Sequence, residues 1–256
     1  MILSGKTRLS HSIPILLYHH VNGHTLTDTT MPDVFRSHLA WLAGQGYRSL
    51  TVAEFEAAVR GGDIGAKRFL LTFDDGSADL PYCGEVMQAF GFSGLAFLIT
   101  GLVGNDPRCV EWKDVADLSG LGVLEFQSHS HAHTRWDFSD PSERLLTDDL
   151  KMSREILAER LDAPVTSIRH LAWPWGRCSL IFEKRAEEAG FPWQYLVQCG
   201  GVTRLGDQLR LPRMCADGVP LDRFRLAFAL LANSWSVVAL NTASGMVRRA
   251  RHGMGY

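Results

Sequence analysis

The chain has 256 residues, of which 46% are hydrophobic, and it carries a formal net charge of -2. This length fits one large α/β domain, and the near-balanced charge argues against a nucleic-acid-binding protein, which usually presents a basic face. The five cysteines are scattered and form no CxxC pair, so they indicate neither a disulfide framework nor a cysteine-based zinc site.

The amino-terminal stretch, residues 1–12, is polar and is predicted to be a flexible N-terminus. The apolar run that follows at residues 13–18 is interrupted by Pro14 and is too short for the core of a signal peptide. No stretch has the roughly 18 consecutive apolar residues that suggest a membrane span. We therefore expect a cytoplasmic protein without a secretory signal.

Short apolar runs alternate with helical patterns between residues 13 and 240. Strands are predicted at 13–18, 47–50, 69–71, 95–99, 123–126, 168–172 and 194–197, and helices at 32–45, 51–60, 81–90, 111–118, 141–161 and 180–189. Such alternation predicts βαβ units and a parallel sheet. Seven or so units suggest a closed barrel, although spacing alone does not separate a barrel from an open sheet. No linker divides residues 13–240, so we predict a single domain.

Two adjacent carboxylates, Asp74 and Asp75, follow the buried strand at residues 69–71. If both ionise at close range they repel each other, and the pKa of one rises. A bound cation, or a division of labour between a metal ligand and a base, relieves the conflict. The alternative is a solvated turn, because Asp-Asp-Gly is favourable turn chemistry.

Histidines follow two other predicted strands. His129 and His133 lie four residues apart, a spacing at which two imidazoles can bind one ion, and His131 between them is expected to point away. A solvated histidine-rich turn is the alternative. His19 and His20 follow the first strand, where either could cap the barrel or act as a general acid beside a metal site.

The turn Trp173-Pro174-Trp175-Gly176 follows a further strand. Tryptophans at a strand end are often core or loop packing; the functional alternative is a wall for a sugar ring with a backbone N–H in the pocket. All four motifs follow strands, and sites in α/β enzymes are built at the carboxyl ends of strands.

The motifs resemble those of the polysaccharide deacetylases of carbohydrate esterase family four, the NodB-homology family. The similarity spans roughly residues 13–215 and rests on Phe73-Asp74-Asp75-Gly76, His129-Ser130-His131-Ala132-His133 and Pro174-Trp175-Gly176. Residues 35–62 resemble one branch of the family, which includes bacterial deacetylases of poly-N-acetylglucosamine and related exopolysaccharides.

The resemblance implies a distorted (β/α)7 barrel that hydrolyses N-acetyl groups of a sugar or polysaccharide and releases acetate. It implies that Asp75, His129 and His133 bind a divalent metal, expected to be Zn²⁺, with Co²⁺, Ni²⁺ or Fe²⁺ as alternatives. Asp74 would be the general base. His19 would be the general acid, because Leu17-Tyr18-His19 fits the early L-x-H order of the exopolysaccharide branch.

The resemblance also implies that the backbone N–H of Trp175 stabilises the oxyanion. The chain departs from many members at Ala172, where they carry an arginine that orients the catalytic aspartate. The exopolysaccharide branch often lacks this arginine, so we do not expect inactivation. What orients Asp74 stays open; Arg169 is close in sequence but need not point the same way.

The carboxyl-terminal region is apolar at residues 221–240 and basic at residues 241–256. A helix covering the barrel, followed by a frayed tail, is the favoured interpretation; a membrane-surface helix with a basic flank is the alternative. Two rival functions are a hydrolase of non-polymeric amides, such as cyclic imides, ureides or a glycoside or glycolipid intermediate, and a non-catalytic carbohydrate-binding relative.

Overall fold

The computed structural model describes residues 8–22, 28–61, 65–135, 140–176, 178–204, 208–234 and 236–237. The predicted basic tail and most of the predicted flexible N-terminus lie outside these ranges. The elements in chain order are β1 (Arg8–Tyr18), α1 (Pro32–Gly44), β2 (Arg48–Ser49), α2 (Val52–Val59), β3 (Arg68–Phe73), α3 (Leu80–Ala89), β4 (Gly94–Leu98), α4 (Trp112–Gly120), β5 (Leu124–Ser128), α5 (Asp140–Arg160), β6 (His170–Ala172), α6 (Leu180–Glu188), β7 (Trp193–Tyr195), β8 (Gly201–Arg204), β9 (Met214–Cys215) and α7 (Leu221–Ala232).

The nine strands of the described residues belong to one sheet. The main path runs β7-β6-β5-β4-β3-β1-β8, while β2 pairs with β3 and β9 pairs with β1. Neighbours from β7 to β1 are parallel, as is β9 against β1, and β8 is antiparallel. The parallel strands curl into a half-barrel lined by helices, which confirms the predicted distorted (β/α)7 architecture.

The side chains of the central strand β3 alternate between two buried clusters. Phe69, Leu71 and Phe73 join the larger cluster, which includes the apolar faces of most helices. Leu70 joins a second cluster formed mainly by strand residues on the face around which the sheet curls. Because strand side chains alternate, Asp74 continues the Leu70 face and enters the barrel interior beyond the end of β3.

Two strands, β8 and β9, and the segment before β9 were not predicted from the sequence. Leu196 N donates to Leu211 O and Leu211 N donates to Gln194 O, so this segment pairs along β7. It then continues into β9, where Met214 aligns with Leu16 of β1. Residues 208–215 therefore bridge the two edges of the parallel run, between β7 and β1.

The carboxyl-terminal helix α7 begins at the predicted residue and packs against β1 and α1. Phe224, Phe228 and Leu231 are buried, and the Phe224 ring stacks on His38 at 3.9 Å between centroids. The apolar face of α7 is thus occupied inside the fold, which favours the packing interpretation and leaves the membrane-surface alternative without support. Among the described helices, none combines the length and apolarity needed to cross a bilayer.

Candidate active site

The parallel register brings the carboxyl ends of four strands together. Tyr18 at the end of β1 aligns with Phe73 at the end of β3, and Asp74 N donates to Tyr18 O at 3.0 Å. Ser128 at the end of β5 aligns with Leu171 of β6. The residues that follow these strands therefore meet at one edge of the sheet.

Asp75, His129 and His133 each place one ligand atom within 4.8 Å of the other two. His129 Nε2 lies 3.2 Å from Asp75 Oδ1, and His133 Nε2 lies 3.6 Å from the same oxygen. His129 Nδ1 lies 2.9 Å from Ala172 O, which can only accept, so Nδ1 carries a proton that it donates. In the neutral ring, the lone pair of Nε2 therefore faces the carboxylate oxygen.

This arrangement fits a divalent cation. Asp75 Oδ1 is buried and accepts no hydrogen bond from any described residue, so a cation would supply the missing partner. Histidine ligands commonly donate their other N–H to a carbonyl or carboxylate, as His129 does to Ala172. Two imidazoles and one carboxylate also form a known catalytic zinc set with an open fourth position.

The electrostatics of the three side chains agree with this fit. Burial alone would raise the pKa of Asp75, but the facing imidazole of His129 outweighs burial and holds that pKa well below its usual range. Burial, reinforced by His129, lowers the pKa of His133 to about 4, so its imidazole is neutral near pH 7 as metal binding requires. Burial lowers the pKa of His129, but Asp74 and Asp75 outweigh it and raise that pKa, which reflects a site that attracts positive charge.

Left-handed backbone conformations cluster around these residues. The φ angles are positive at Asp75 (66°), Ser130 (69°), His133 (51°) and Trp175 (61°), and none of these four is glycine. Such conformations cost about 1–3 kcal/mol each and persist only where the surrounding structure imposes them. The turns after β3, β5 and β6 are therefore held in shapes that aim particular side chains into the site.

Arg213 orients Asp74, which answers the question left open by Ala172. Arg213 Nη1 donates to Asp74 Oδ1 at 2.6 Å and Nη2 donates to Oδ2 at 2.7 Å, and both side chains are almost fully buried. Burial alone would raise the pKa of Asp74, but the Arg213 guanidinium outweighs it and keeps that pKa below its usual value. Arg169 instead donates to Glu56 at 2.5 Å.

Asp217 is the partner of His19. His19 Nδ1 donates to Asp217 Oδ2 at 2.6 Å, and the His19 backbone N–H donates to Asp217 Oδ1 at 3.0 Å. Burial alone would lower the pKa of His19, but the hydrogen bond to Asp217, followed by contributions from Cys215 and Asp74, raises it to about 11. The ring is therefore held as a cation that can release a proton.

Sequence reasoning missed both Arg213 and Asp217. The signal that could have revealed them is the period-two pattern Arg213-Met214-Cys215-Ala216-Asp217, in which polar residues alternate with apolar ones as in a half-buried strand. In that register Arg213 and Asp217 share one face of the strand.

Two other predicted histidines bind protein groups instead. His131 Nδ1 lies 3.1 Å from Thr100 Oγ1, and the ring is outside the metal set, as expected. His20 Nδ1 lies 3.0 Å from Ser77 Oγ, so its ring is held away from the position of His19. The geometry thus favours His19 over His20 as the candidate acid.

The turn after β6 requires a correction. Trp173 was a candidate substrate wall, but it is only 1% exposed, and its Nε1 donates to Gln194 Oε1 inside the core. Pro174 is buried as well, so neither side chain can contact a sugar. Trp175 is 59% exposed and its ring centroid lies 5.2 Å from that of His133, while Gly176 is partly exposed. Of the two tryptophans, only Trp175 can form a wall of the site.

Solved structures with this fold come from several bacteria. The Streptococcus pyogenes deacetylase PplD, in complex with acetate, superposes with a TM-score of 0.76 at 20% identity, covering 87% of this chain and 98% of that chain. IcaB from Ammonifex degensii gives a TM-score of 0.75 at 22% identity, covering 86% and 97%. The de-N-acetylase from Aggregatibacter actinomycetemcomitans gives 0.75 at 17% identity, covering 84% and 99%. At these identities the likeness establishes the fold.

Sequence comparison identifies the family. YxkH of Bacillus subtilis (strain 168), whose name assigns it provisionally to the polysaccharide deacetylases, is 23% identical over 201 residues, which cover 78% of this chain and 69% of YxkH. The sequence model of the polysaccharide deacetylase family matches residues 61–193, just over half of the chain. That span contains the carboxylate pair after β3, both histidines of the metal set and the turn after β6. The chain belongs to the polysaccharide deacetylase family.

Proposed function

We propose that this protein removes acetyl groups from an N-acetylated polysaccharide by metal-assisted hydrolysis, with Zn²⁺ as the first candidate metal. The observation that carries the proposal is the convergence of Asp75 Oδ1, His129 Nε2 and His133 Nε2 around a position where no proton donor among the described residues satisfies Asp75 Oδ1. A divalent ion held there would activate a water molecule and polarise the acetyl carbonyl.

Asp74 accepts the proton of the attacking water in this proposal. A general base must be ionised before it can act, and the bidentate contact with Arg213 keeps the carboxylate ionised although it is buried. Both Asp74 oxygens accept hydrogen bonds from Arg213, whereas Asp75 Oδ1 accepts none from the part of the chain that the structure describes. This difference supports Asp74 as the base and Asp75 as the metal ligand, not the reverse.

His19 donates a proton to the nitrogen of the departing amine. The Asp217 carboxylate holds the proton on Nδ1 and favours the cationic ring, so Nε2 also carries a proton to give. General acid catalysis of this kind contributes about 10²–10⁴ in rate. The backbone N–H of Trp175 is the proposed oxyanion donor, and one such donor can be worth about 10²–10³.

The substrate is proposed to be a polymer of amino sugars of the exopolysaccharide type. Trp175 exposes its ring beside His133, and an exposed aromatic ring next to a metal set offers a flat apolar face to a sugar. The structural likeness to a de-N-acetylase is consistent with removal of an N-acetyl group.

The test is acetate release from N-acetylglucosamine oligomers by metal-free protein to which Zn²⁺ is returned. We expect Asp74→Asn to lower turnover by at least about 10²-fold, the lower end of base catalysis, while the protein still binds one equivalent of metal. Asp117→Asn is the matched control, because Asp117 is exposed and forms an ion pair with Lys113 on the surface of α4. Loss of metal from Asp74→Asn would mean that the roles of the two carboxylates are exchanged.

The same assay separates the rival functions. Release of ammonia or acid from cyclic imides, ureides or nucleotide sugars, with no acetate from oligosaccharides, would favour the non-polymeric hydrolase. Binding of oligosaccharides without turnover of any substrate in the presence of Zn²⁺ or Co²⁺ would favour the carbohydrate-binding relative.

A further inference from the structure

We propose that His19, Cys215 and Asp217 form a second cation site, which takes a thiophilic divalent metal such as Zn²⁺ and inhibits the enzyme when filled. The metal-binding part of this inference stands on geometry alone. The inhibitory part rests on the proposed function, because it requires His19 to act as the acid.

The backbone brings these three residues to one place. Cys215 of β9 aligns with Leu17 of β1, and Ala216 N donates to Leu17 O at 2.9 Å. Because side chains alternate along a strand, Cys215 and Asp217 point to one side, and His19 lies two residues beyond Leu17 on the adjacent strand. Their ligand atoms all lie within 4.8 Å of one another.

The carboxylate of Asp217 is already oriented as a ligand. Its Oδ1 accepts from the His19 backbone N–H at 3.0 Å and from Thr30 Oγ1 at 3.3 Å. Its Oδ2 faces both His19 Nδ1, at 2.6 Å, and Cys215 Sγ, at 3.3 Å. The protein thus holds Oδ1 in place, while Oδ2 faces His19 Nδ1 and Cys215 Sγ, the two other proposed ligand atoms. Carboxylates that bind metals are commonly oriented by such hydrogen bonds.

The three donors suit zinc in type and spacing. Zinc takes Cys S at about 2.3 Å and His N or carboxylate O at about 2.0–2.1 Å, so tetrahedral ligand atoms lie about 3.3–3.7 Å apart. The Cys215–Asp217 separation of 3.3 Å already meets this, and the His19–Asp217 pair must open by less than about 1 Å. Cys215 is exposed, so a cation can reach the thiol from solvent.

A metal ion in the second site would prevent His19 from acting as the general acid. A cation bound to His19 Nδ1 and Cys215 Sγ would replace the proton that Nδ1 shares with Asp217 and the thiol proton of Cys215, and both protons would pass to solvent. The ring then no longer forms the imidazolium that gives up its Nε2 proton to the amine. Inhibition is therefore expected at metal concentrations above those that fill the site of Asp75, His129 and His133.

The two cation sites differ in one spectroscopically useful respect, because only the second contains sulfur. Cd²⁺ is the probe: a cadmium–thiolate bond gives an ultraviolet charge-transfer band, whereas a site of imidazoles and carboxylate does not. Wild-type protein is titrated with Cd²⁺, alongside Cys215→Ser and Cys199→Ser. Cys199 is the matched control, since it is also an exposed cysteine but lies outside the cluster.

We expect the thiolate band in the wild type and in Cys199→Ser, growing with a second equivalent of Cd²⁺, and its loss in Cys215→Ser. An equal band in Cys215→Ser, or no band in the wild type, would overturn the site. Thermal unfolding of the metal-free variants shows whether each is folded. The cadmium titration does not depend on catalysis, so it shows whether the second cation site exists even if acetate release is never observed.

Activity is measured in a parallel Zn²⁺ titration. Cys215→Ser, compared with its own rate without added Zn²⁺, should need at least about 10–100-fold more Zn²⁺ for half-inhibition, because the loss of a ligand costs at least as much as the loss of a supporting group of a metal site. Unchanged zinc inhibition in Cys215→Ser, together with loss of the cadmium band, would retain the site and refute its inhibitory role.

Discussion

Replacing Arg213 by methionine tests how the candidate base is held. Methionine fills a similar elongated volume but removes both donors to Asp74 as well as the bond from Arg213 Nε to Leu196 O at 3.1 Å. The Asp74 carboxylate would then be buried without its hydrogen-bonded counterion, and the His19 and His129 rings would be the remaining groups that favour its charge. Breaking a buried pair by removing one partner is more harmful than replacing both, because the remaining charge stays uncompensated.

The expected loss follows from the burial of the pair. The Arg213 and Asp74 side chains are 0% and 1% exposed, so water cannot solvate the carboxylate left behind. Loss of one partner of such a pair costs about 3–5 kcal/mol. Against a typical domain stability of about 5–15 kcal/mol, this loss multiplies the unfolded fraction by about 10² to 4 × 10³.

The loss of unfolding free energy in Arg213→Met should depend on pH in a defined direction. In the wild type the pKa of folded Asp74 is depressed, so the contribution of the pair is complete above the unfolded value of about 3.9 and is lost as pH falls through the folded pKa. In Arg213→Met, burial raises the pKa of Asp74 above that of the unfolded chain. The difference in the free energy of unfolding between the wild type and Arg213→Met is therefore largest near neutral pH and becomes smaller toward about pH 4.

The assay is urea unfolding at several pH values, monitored by tryptophan fluorescence. The double variant Asp74→Asn/Arg213→Met should be more stable than Arg213→Met alone, because both charges are then absent. Arg210→Met is the control: Arg210 lies in the same segment but pairs with Glu183 in a more exposed setting, so a smaller loss is expected. An Arg213→Met protein as stable as the wild type at pH 7 would refute the reasoning.

Three further predictions concern the site. His133→Ala should reduce bound Zn²⁺, measured by mass spectrometry, by at least about tenfold without unfolding the protein; full metal content would remove His133 from the ligand set. Asp217→Asn should bring the pKa of His19 down from about 11 toward about 6.5, so activity should fall as pH rises past neutrality, whereas an unchanged pH–rate profile would exclude His19 as the acid. Gly176→Ala should lower the free energy of unfolding by about 1 kcal/mol or more, because Gly176 has a φ of 63° and a Cβ there would lie 2.8 Å from the backbone N of Val197. An unchanged melting temperature would contradict this strain.

The sequence predicted that Asp75, His129 and His133 lie close together, and the structure brings their ligand atoms within 4.8 Å of one another, because simple rules connect the two. Asp75, His129 and His133 follow strands, and parallel strands place their carboxyl ends at one edge of a sheet. Alternating strand and helix patterns predicted the parallel topology, and apolar periodicity identified most elements to within a few residues. The helix predicted at 51–60 is α2, and a capping box of Thr51 and Glu54 begins it.

The residues that support the base and the acid could not be found in the same way. β9 has two residues and becomes a strand only because β1 offers it a free edge, so its existence depends on tertiary contacts. The pairing of Arg213 with Asp74 depends on barrel curvature, which local patterns do not encode. Likewise, the sequence could not tell which of Trp173 and Trp175 is exposed, because the left-handed backbone of Trp175 decides it.

One short segment connects barrel construction to the proposed chemistry. Residues 208–215 pair with β7 and then with β1. The same segment places Arg213 beside Asp74, the proposed base, and Asp217, two residues after the segment, lies beside His19, the proposed acid. The base and acid sit at the ends of adjacent strands β3 and β1, so a shift of β9 by one residue along β1 would displace both countercharges together. A two-residue slip would restore side-chain direction but move the guanidinium by about 6–7 Å, beyond hydrogen-bonding reach of Asp74. The proposed proton-transfer groups therefore require a single register of the strand that bridges the half-barrel, so the proposed activity, like the fold, depends on the pairing of Met214 with Leu16.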